Sequence, residues 1–275
     1  MITIVGATGN LGGPLVRMLA ERGAGVTAVS RGEPAGGVRH VRADLAAPET
    51  LRPAFDGAEA VFLIVPGAGG GLDPRALVER ARASGVRKLV LLSSQAVTTR
   101  PGSASYAPMR ALEAAIEGSG LAWTFLRAGG FASNAYAWAP AVRAERTIAA
   151  PFGDVGLPVV DPLDIAETAA AVLLTDGHDG QAYEVTGPAL STPRSRARDL
   201  AGALGEPVRF VEQTPAEARE QMLRFMPAPV ADGTLEILGA PTAGEQRISP
   251  DVEKILGRTP GSFAAWAARN VAAFR

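Results

Sequence analysis

The chain of 275 residues contains no cysteine. Disulfides, thiolate nucleophiles and thiolate metal sites are therefore excluded. Histidine is almost as scarce, and the two present, His40 and His178, lie too far apart in sequence to suggest a metal cluster. Lysine occurs only as Lys88 and Lys254, which matters wherever an arginine stands at a position that chemistry would give to lysine. The formal charge is −1, so nothing electrostatic points to nucleic acid. No uninterrupted apolar run reaches the length needed to span a membrane. The apolar N-terminus carries no basic leader and enters a glycine turn, so it reads as a first strand rather than a signal peptide. These absences lead us to expect a cytoplasmic, metal-free protein.

What is present is a chain with a core: 47% of residues are hydrophobic and 20% charged. The first half alternates β-rich runs with amphipathic stretches. Strands are expected at Ile2–Val5, Gly25–Ser30, Val38–Val41, Ala58–Val65, Lys88–Leu92 and Ala122–Leu126, with helices at Leu11–Glu21, Pro74–Ala83 and about Ser105–Glu117. That alternation predicts a parallel, doubly wound sheet buried on both faces. The second half is less regular. Asp161-Pro162 opens a helix through Leu174, Gln181–Val185 and Val208–Val211 read as strands, and Thr192–Leu204 and Pro215–Phe225 as helices. Glycine and proline punctuate Ala228–Gly244, and a last helix carries Phe263, Trp266 and Phe274. We expect a nucleotide-binding domain over 1–150 and a smaller α/β substrate portion over 151–275, with a soft, interleaved boundary.

The segment Gly6-Ala-Thr8-Gly9-Asn10-Leu11-Gly12 lies between the first strand and the first helix. Glycines there permit a tight turn, close approach of a pyrophosphate and close helix packing, while the helix offers free N–H groups to an anion. Thr8 and Asn10 can add side-chain bonds. The second strand ends in Ser30-Arg31, where an acidic residue would select NAD. An arginine fork there suits a 2′-phosphate, so NADP(H) is expected over NAD(H); the alternative is a solvated loop arginine. Asp44-Leu45 could hold the adenine, or Asp44 could cap the following segment. Ligand should also meet the later strand ends: Val65-Pro66 and the glycine run to Gly71, a candidate lid, then Ser93-Ser94, and Gly129.

At this point the chain resembles the NmrA-like branch of atypical short-chain dehydrogenases/reductases over essentially its full length. The residues that carry the resemblance are Gly6–Gly12, Leu92-Ser93-Ser94, Glu113 with Ser119-Gly120-Leu121 through Arg127, Phe131 with Asn134, Val160-Asp161 with Asp164-Ile165-Ala166, Tyr183 through Pro188, and Asp251-Val252-Glu253 with Gly257-Arg258. The resemblance implies a Rossmann domain, a small C-terminal portion and a cleft between them. The group includes NADPH-dependent quinone and other reductases as well as cofactor-binding regulators, so it implies the fold and cofactor more firmly than the reaction.

Active short-chain reductases use a Tyr-x-x-x-Lys pair, the tyrosine protonating the substrate oxygen. Here the spacing is Tyr106-Ala-Pro-Met-Arg110, with arginine in place of lysine. Pro108 between them is tolerable only in a first helical turn. Tyr106 and Arg110 could equally be packing and ion-pairing residues. Ser94 could supply a second hydroxyl or cap its turn. Phe131, Asn134, Tyr136 and Trp138 could line an aromatic substrate pocket or pack a core. Asp161 and Asp164 read as helix-start residues, Asp251 and Glu253 as a solvated helix beginning, and His178 as a turn residue. Two functions are therefore expected: an NADPH-dependent reductase of a small quinone-like or aromatic carbonyl substrate, or an NADP(H)-sensing binding protein. A homodimer or a regulatory protein partner is compatible with either.

Overall fold

The computed structural model describes residues 1–32, 37–65 and 71–275. Among the described residues nine strands form: β1 (Ile2–Val5), β2 (Val26–Ser30), β3 (Arg39–Arg42), β4 (Ala60–Ile64), β5 (Lys88–Ser94), β6 (Ala122–Ala128), β7 (Thr147–Ala150), β8 (Gln181–Val185) and β9 (Arg209–Glu212). The helices are α1 (Gly12–Glu21), α2 (Arg52–Phe55), α3 (Pro74–Ala83), α4 (Ala96–Thr99), α5 (Ala107–Glu117), α6 (Ala139–Glu145), α7 (Pro162–Leu174), α8 (Pro193–Leu204), α9 (Pro215–Met222), α10 (Ala228–Gly239), α11 (Asp251–Leu256) and α12 (Phe263–Asn270).

Seven strands make one parallel sheet in the order β3-β2-β1-β4-β5-β6-β8. This is the doubly wound Rossmann arrangement expected from the alternation of elements, with the chain reversing direction across the sheet between β1 and β4. Successive side chains point to opposite faces, so one strand serves two cores. Ile2 and Ile4 of β1 join Leu126 and Ala128 of β6 beneath Leu15 and Leu19 of α1 and Ile165, Ala169 and Ala170 of α7. Val5, Leu63, Leu91 and Phe125 face the other way, onto Phe55, Leu77, Ala81, Leu112 and Ile116. Burial on both faces explains why the central strands read as unbroken apolar runs.

A third apolar cluster lies outside the sheet. Phe263, Trp266 and Phe274 pack with Val142, Ile148 and Leu200, and the parallel pair β7-β9 borders them. After this layer has begun, β8 returns to the main sheet beside β6.

Several elements differ from expectation. The stretch punctuated by glycine and proline contains the helix α10: Pro229 falls in its first turn, where no intrahelical N–H is required. Gly233 inside α10 lies against Ser105, whose Oγ would stand 3.0 Å from any added Cβ. The short α6 and β7, joined by Arg146 in a left-handed conformation, were not anticipated. Among the described residues no helix is long and apolar enough to cross a membrane.

Candidate functional site

The turn after β1 is built by three glycines with different tasks. Gly6 has φ +87°, and an added Cβ would come within 2.8 Å of Ile64 on β4. Gly12 opens α1; a Cβ there would collide with the Gly6 carbonyl and approach the Ala7 Cα to 2.8 Å, so the helix can pack this closely only without a side chain. Gly9 is different: the nearest atom to an added Cβ is 4.0 Å away. It stands between the exposed Thr8 and Asn10 at the rim of an open cradle, while Leu11 is buried beneath. No side chain caps the N-terminus of α1, nor those of α2, α4, α5, α6, α10 and α11, whereas α3, α7, α8, α9 and α12 are capped. Gly13 N–H already donates to the Gly9 carbonyl (3.1 Å) and Pro14 has none, so the N–H groups of Leu11 and Gly12 and the positive dipole end are what remain for an anion. An open glycine turn with free N–H groups at a helix N-terminus has the donors that a dinucleotide pyrophosphate requires.

On the adenosine side, Ser30 is buried at the end of β2; its hydroxyl donates to the Gly32 carbonyl and lies 3.1 Å from His40 Nε2. Arg31 beside it is exposed. Asp44 accepts the Ala46 N–H through Oδ1 (3.0 Å), organising its own turn, and Leu45 points into the core. Val65 follows β4, partly exposed, whereas Pro66 and most of the candidate glycine lid lie outside the described residues. At the end of β5 the two serines diverge. Ser93 is buried and donates to Glu113 Oε1 at 2.6 Å, and Arg127 closes the network on Glu113 Oε2 at 2.6 Å. Ser94 accepts the Ala96 N–H at 3.2 Å and so starts α4. Gly129 keeps the end of β6 bare, since a Cβ there would stand 2.8 Å from Gln95 Oε1.

Tyr106 ends a single 3₁₀ turn and caps α5 from outside, which places Pro108 in the first helical turn as its chemistry demands. Arg110 donates to the carbonyls of Ser103 (2.8 Å) and Arg100 (3.3 Å), fastening the turn that leads to Tyr106. Of the three tyrosines, Tyr136 donates to Asn270 Oδ1 at 2.6 Å and the Tyr183 hydroxyl pairs with His178 Nδ1 at 2.8 Å. Tyr106 alone has a hydroxyl with no hydrogen-bond partner among the described residues. Partial burial pushes its pKa above the usual tyrosine value, and the nearby Glu245 carboxylate adds to the effect.

Glu245 was not singled out by sequence reasoning. It is 2% exposed and receives Arg100 Nε (2.8 Å), the Thr99 hydroxyl (3.0 Å) and the Thr242 N–H (2.8 Å). Burial alone would raise its pKa, but these bonds and the Arg100 charge outweigh that and hold it low. Arg100 also reaches Glu236 of α10 and the Ala240 carbonyl, and Gln95 donates to the Gly244 carbonyl. The chain after α10 is thus bolted to the turn after β5. Asp161 and Asp164 do start α7, Asp161 by accepting the Leu163 N–H. They also hold the C-terminus: Asp164 binds Arg258 at 2.7 Å and the Gly261 N–H, and Asp161 binds Arg269. Asp251 is likewise engaged, accepting the Glu184 N–H at 3.0 Å.

The aromatic run after β6 splits between surroundings. Phe131 bridges to Val160, Asn134 is exposed, and Tyr136 meets Trp266 edge-on and stacks with Phe274. Trp138 lies under the Arg196 guanidinium, 5.5 Å from its ring centre. A cleft of about 460 Å³ is lined by Asn10, Arg17, Tyr136, Asp161, Trp266 and Arg269, among others. It touches the glycine loop at Asn10 and includes neither Tyr106 nor Ser94, so it lies beside α1 and not over the turn that carries Tyr106. Sequence reasoning missed it because its walls come from four distant segments.

The seven-stranded sheet with an uncapped helix over a glycine cradle defines a dinucleotide-binding Rossmann protein. The family model for NAD(P)H-binding proteins matches residues 6–176, and the chain belongs to that family. It is 36% identical over 100% of its length to the (4-alkanoyl-5-oxo-2,5-dihydrofuran-3-yl)methyl phosphate reductase of Streptomyces griseus, covering 99% of that protein. It is 32% identical to the NAD(P)H azoreductase of Xenophilus azovorans, again over 100% of this chain and 99% of the other. Among solved structures, the NADPH-dependent quinone oxidoreductase of Escherichia coli in complex with NADPH superposes with a TM-score of 0.82 at 26% identity, covering 98% of this chain and 99% of that one. The fold of an NmrA variant is also similar, with a TM-score of 0.73 at 19% identity. The resemblance drawn from the motifs is thereby borne out.

Proposed function

We propose that the protein is an NADPH-dependent reductase of a small conjugated carbonyl compound, quinone-like or aromatic. Full-length similarity to reductases that use nicotinamide cofactors supports the reaction class. The observation that carries the assignment is the open space at Gly9 in front of the uncapped α1. In this reading Thr8, Gly9, Asn10 and the N–H groups of Leu11 and Gly12 hold the pyrophosphate. Arg31 pairs with the 2′-phosphate and confers the preference for NADP(H), with Ser30, Asp44, Val65 and Gly129 completing the cofactor walls, while Leu45 and Ser93 face inward and support those strand ends. NADPH, when bound, supplies hydride to the substrate. Residues 151–275 furnish most of the substrate side, together with Phe131, Asn134, Tyr136 and Trp138.

Tyr106 is the proton donor in this reading. Its hydroxyl is uncommitted and its raised pKa keeps it protonated, so it hydrogen-bonds the substrate oxygen as a neutral acid and gives up its proton as negative charge develops there. Arg110 keeps the turn in place from behind through the two carbonyls and so positions Tyr106; Ser94 fixes the neighbouring turn. The test is Tyr106→Phe. A fall in kcat of about 10²–10⁴-fold with unchanged NADPH affinity is expected for loss of a general acid. A fall of less than about threefold assigns the proton to water and removes Tyr106 from the chemistry.

A further inference from the structure

Arg196, in the first turns of α8, is only 7% exposed and forms no ion pair among the described residues. Its guanidinium stands 5.5 Å from the Trp138 ring centre and 5.9 Å from that of Phe263. Its one hydrogen bond among the described residues is a long one, from Nε to the Thr192 carbonyl at 3.4 Å. Two other guanidinium groups with little exposure are treated differently: Arg100 meets the buried Glu245, and Arg127 meets the buried Glu113. A buried cation without a counter-charge is costly unless something supplies one. Burial alone brings the Arg196 pKa down to about 10, so it remains charged at neutral pH.

The aromatic faces of Trp138 and Phe263 stabilise the charge in part and fix the plane of the fork. They leave the terminal nitrogens, which a phosphate or carboxylate could engage bidentately. Both supporting segments leave the carboxyl edge of the main sheet. Trp138 ends the turn that follows β6, and Thr192 follows β8 through the Gly187–Ser191 stretch, which is tied to Leu157. We propose that Arg196, framed by Trp138 and Phe263, is a subsite for an anionic substituent of the substrate, a phosphate monoester above all. The idea rests on the reductase reading for its substrate skeleton but not for its anion. The Streptomyces griseus relative acts on a phosphate-bearing butenolide, which supplies a suitable probe.

The experiment is calorimetric titration of the NADP⁺-loaded protein, where no turnover can occur, with three probes. These are (4-alkanoyl-5-oxo-2,5-dihydrofuran-3-yl)methyl phosphate, the corresponding alcohol, and inorganic phosphate. The wild type is expected to bind the ester roughly 30- to 100-fold more tightly than the alcohol, as a charge-assisted bidentate contact implies. Arg196→Met should collapse that ratio to near unity, and Arg196→Lys should leave an intermediate ratio, with the NADP⁺ affinity of each variant reporting an intact fold. Equal affinity for ester and alcohol in the wild type, or a ratio that survives in Arg196→Met, overturns the proposal. Inorganic phosphate binding as tightly as the ester, with the same dependence on Arg196, overturns its assignment to substrate. If the ester binds through Arg196 but NADPH reduces neither it nor any quinone or enone, the reductase reading falls while the anion subsite stands.

Discussion

Replacing either of two glycines in the same turn by alanine should damage two different properties. At Gly12 the new methyl group meets backbone on both sides, the Gly6 carbonyl and the Ala7 Cα at 2.8 Å, and neither can rotate away. The start of α1 must lift from β1, disturbing the packing of Leu15 and Leu19, both fully buried. Overpacking of this kind costs about 1–3 kcal/mol. Thermal unfolding should therefore fall by several degrees, at roughly 2–4 °C per kcal/mol for chains of about 150–250 residues. At Gly9 the methyl group enters empty space, with its nearest neighbour 4.0 Å away, and the backbone is not in the left-handed region. Gly9→Ala should leave stability within about 0.5 kcal/mol of wild type, or raise it slightly by restricting the unfolded chain. The methyl group would occupy the place where a pyrophosphate must approach, so NADPH affinity should fall at least tenfold, about 1.4 kcal/mol. The assay pairs melting curves with NADPH calorimetry for both variants. Gly9→Ala that binds NADPH normally, or Gly12→Ala that melts like wild type, would refute the division of labour.

Other perturbations read other parts of the molecule. Arg31→Ala should reduce NADPH affinity by about tenfold and leave NADH affinity nearly unchanged, since a charge-assisted bond to phosphate is worth about 1.5–3 kcal/mol; equal losses for both cofactors would detach Arg31 from the 2′-phosphate. Glu113→Gln leaves Arg127 without a counter-charge and Ser93 with a weaker acceptor, so melting should show a loss of about 3 kcal/mol. Because the Tyr106 pKa is raised, its protonated form persists as pH rises through the ordinary value of 10.0 and is lost only above it. The kcat profile should show no ionisation from Tyr106 between about pH 6 and 9; one that appears there and vanishes in Tyr106→Phe would contradict the neutral-acid role.

The order of the sheet was legible because each strand–helix unit carries its own signal: Ile2–Val5 before Gly6, or Leu77 and Ala81 on one face of α3. The glycine turn was legible for the same local reason. Glu245 was not, because its partners Thr99 and Arg100 lie about 145 residues away and a glutamate in a loop ordinarily reads as solvated. Asp161 and Asp164 were recognised as helix-start residues from Asp-Pro, yet their second partners, Arg269 and Arg258, become neighbours only when α11 packs on α7 and the chain runs on into α12. Arg110 shows the reverse case. Its spacing from Tyr106 suggested a lysine substitute, whereas its hydrogen bonds go to main-chain carbonyls seven and ten residues earlier. The helix α10 was hidden by Pro229 and Gly233, which read as breakers until one falls in the first turn and the other meets Ser105.

In the proposed reaction the protein carries hydride from NADPH to a small conjugated carbonyl. The most direct measurement follows NADPH oxidation by purified protein against quinones, enones and the phosphorylated butenolide, with cofactor binding established beforehand by calorimetry. Substrate-dependent NADPH consumption, matched mole for mole by reduced product, is expected. NADPH bound tightly yet left unoxidised across the whole panel would contradict it.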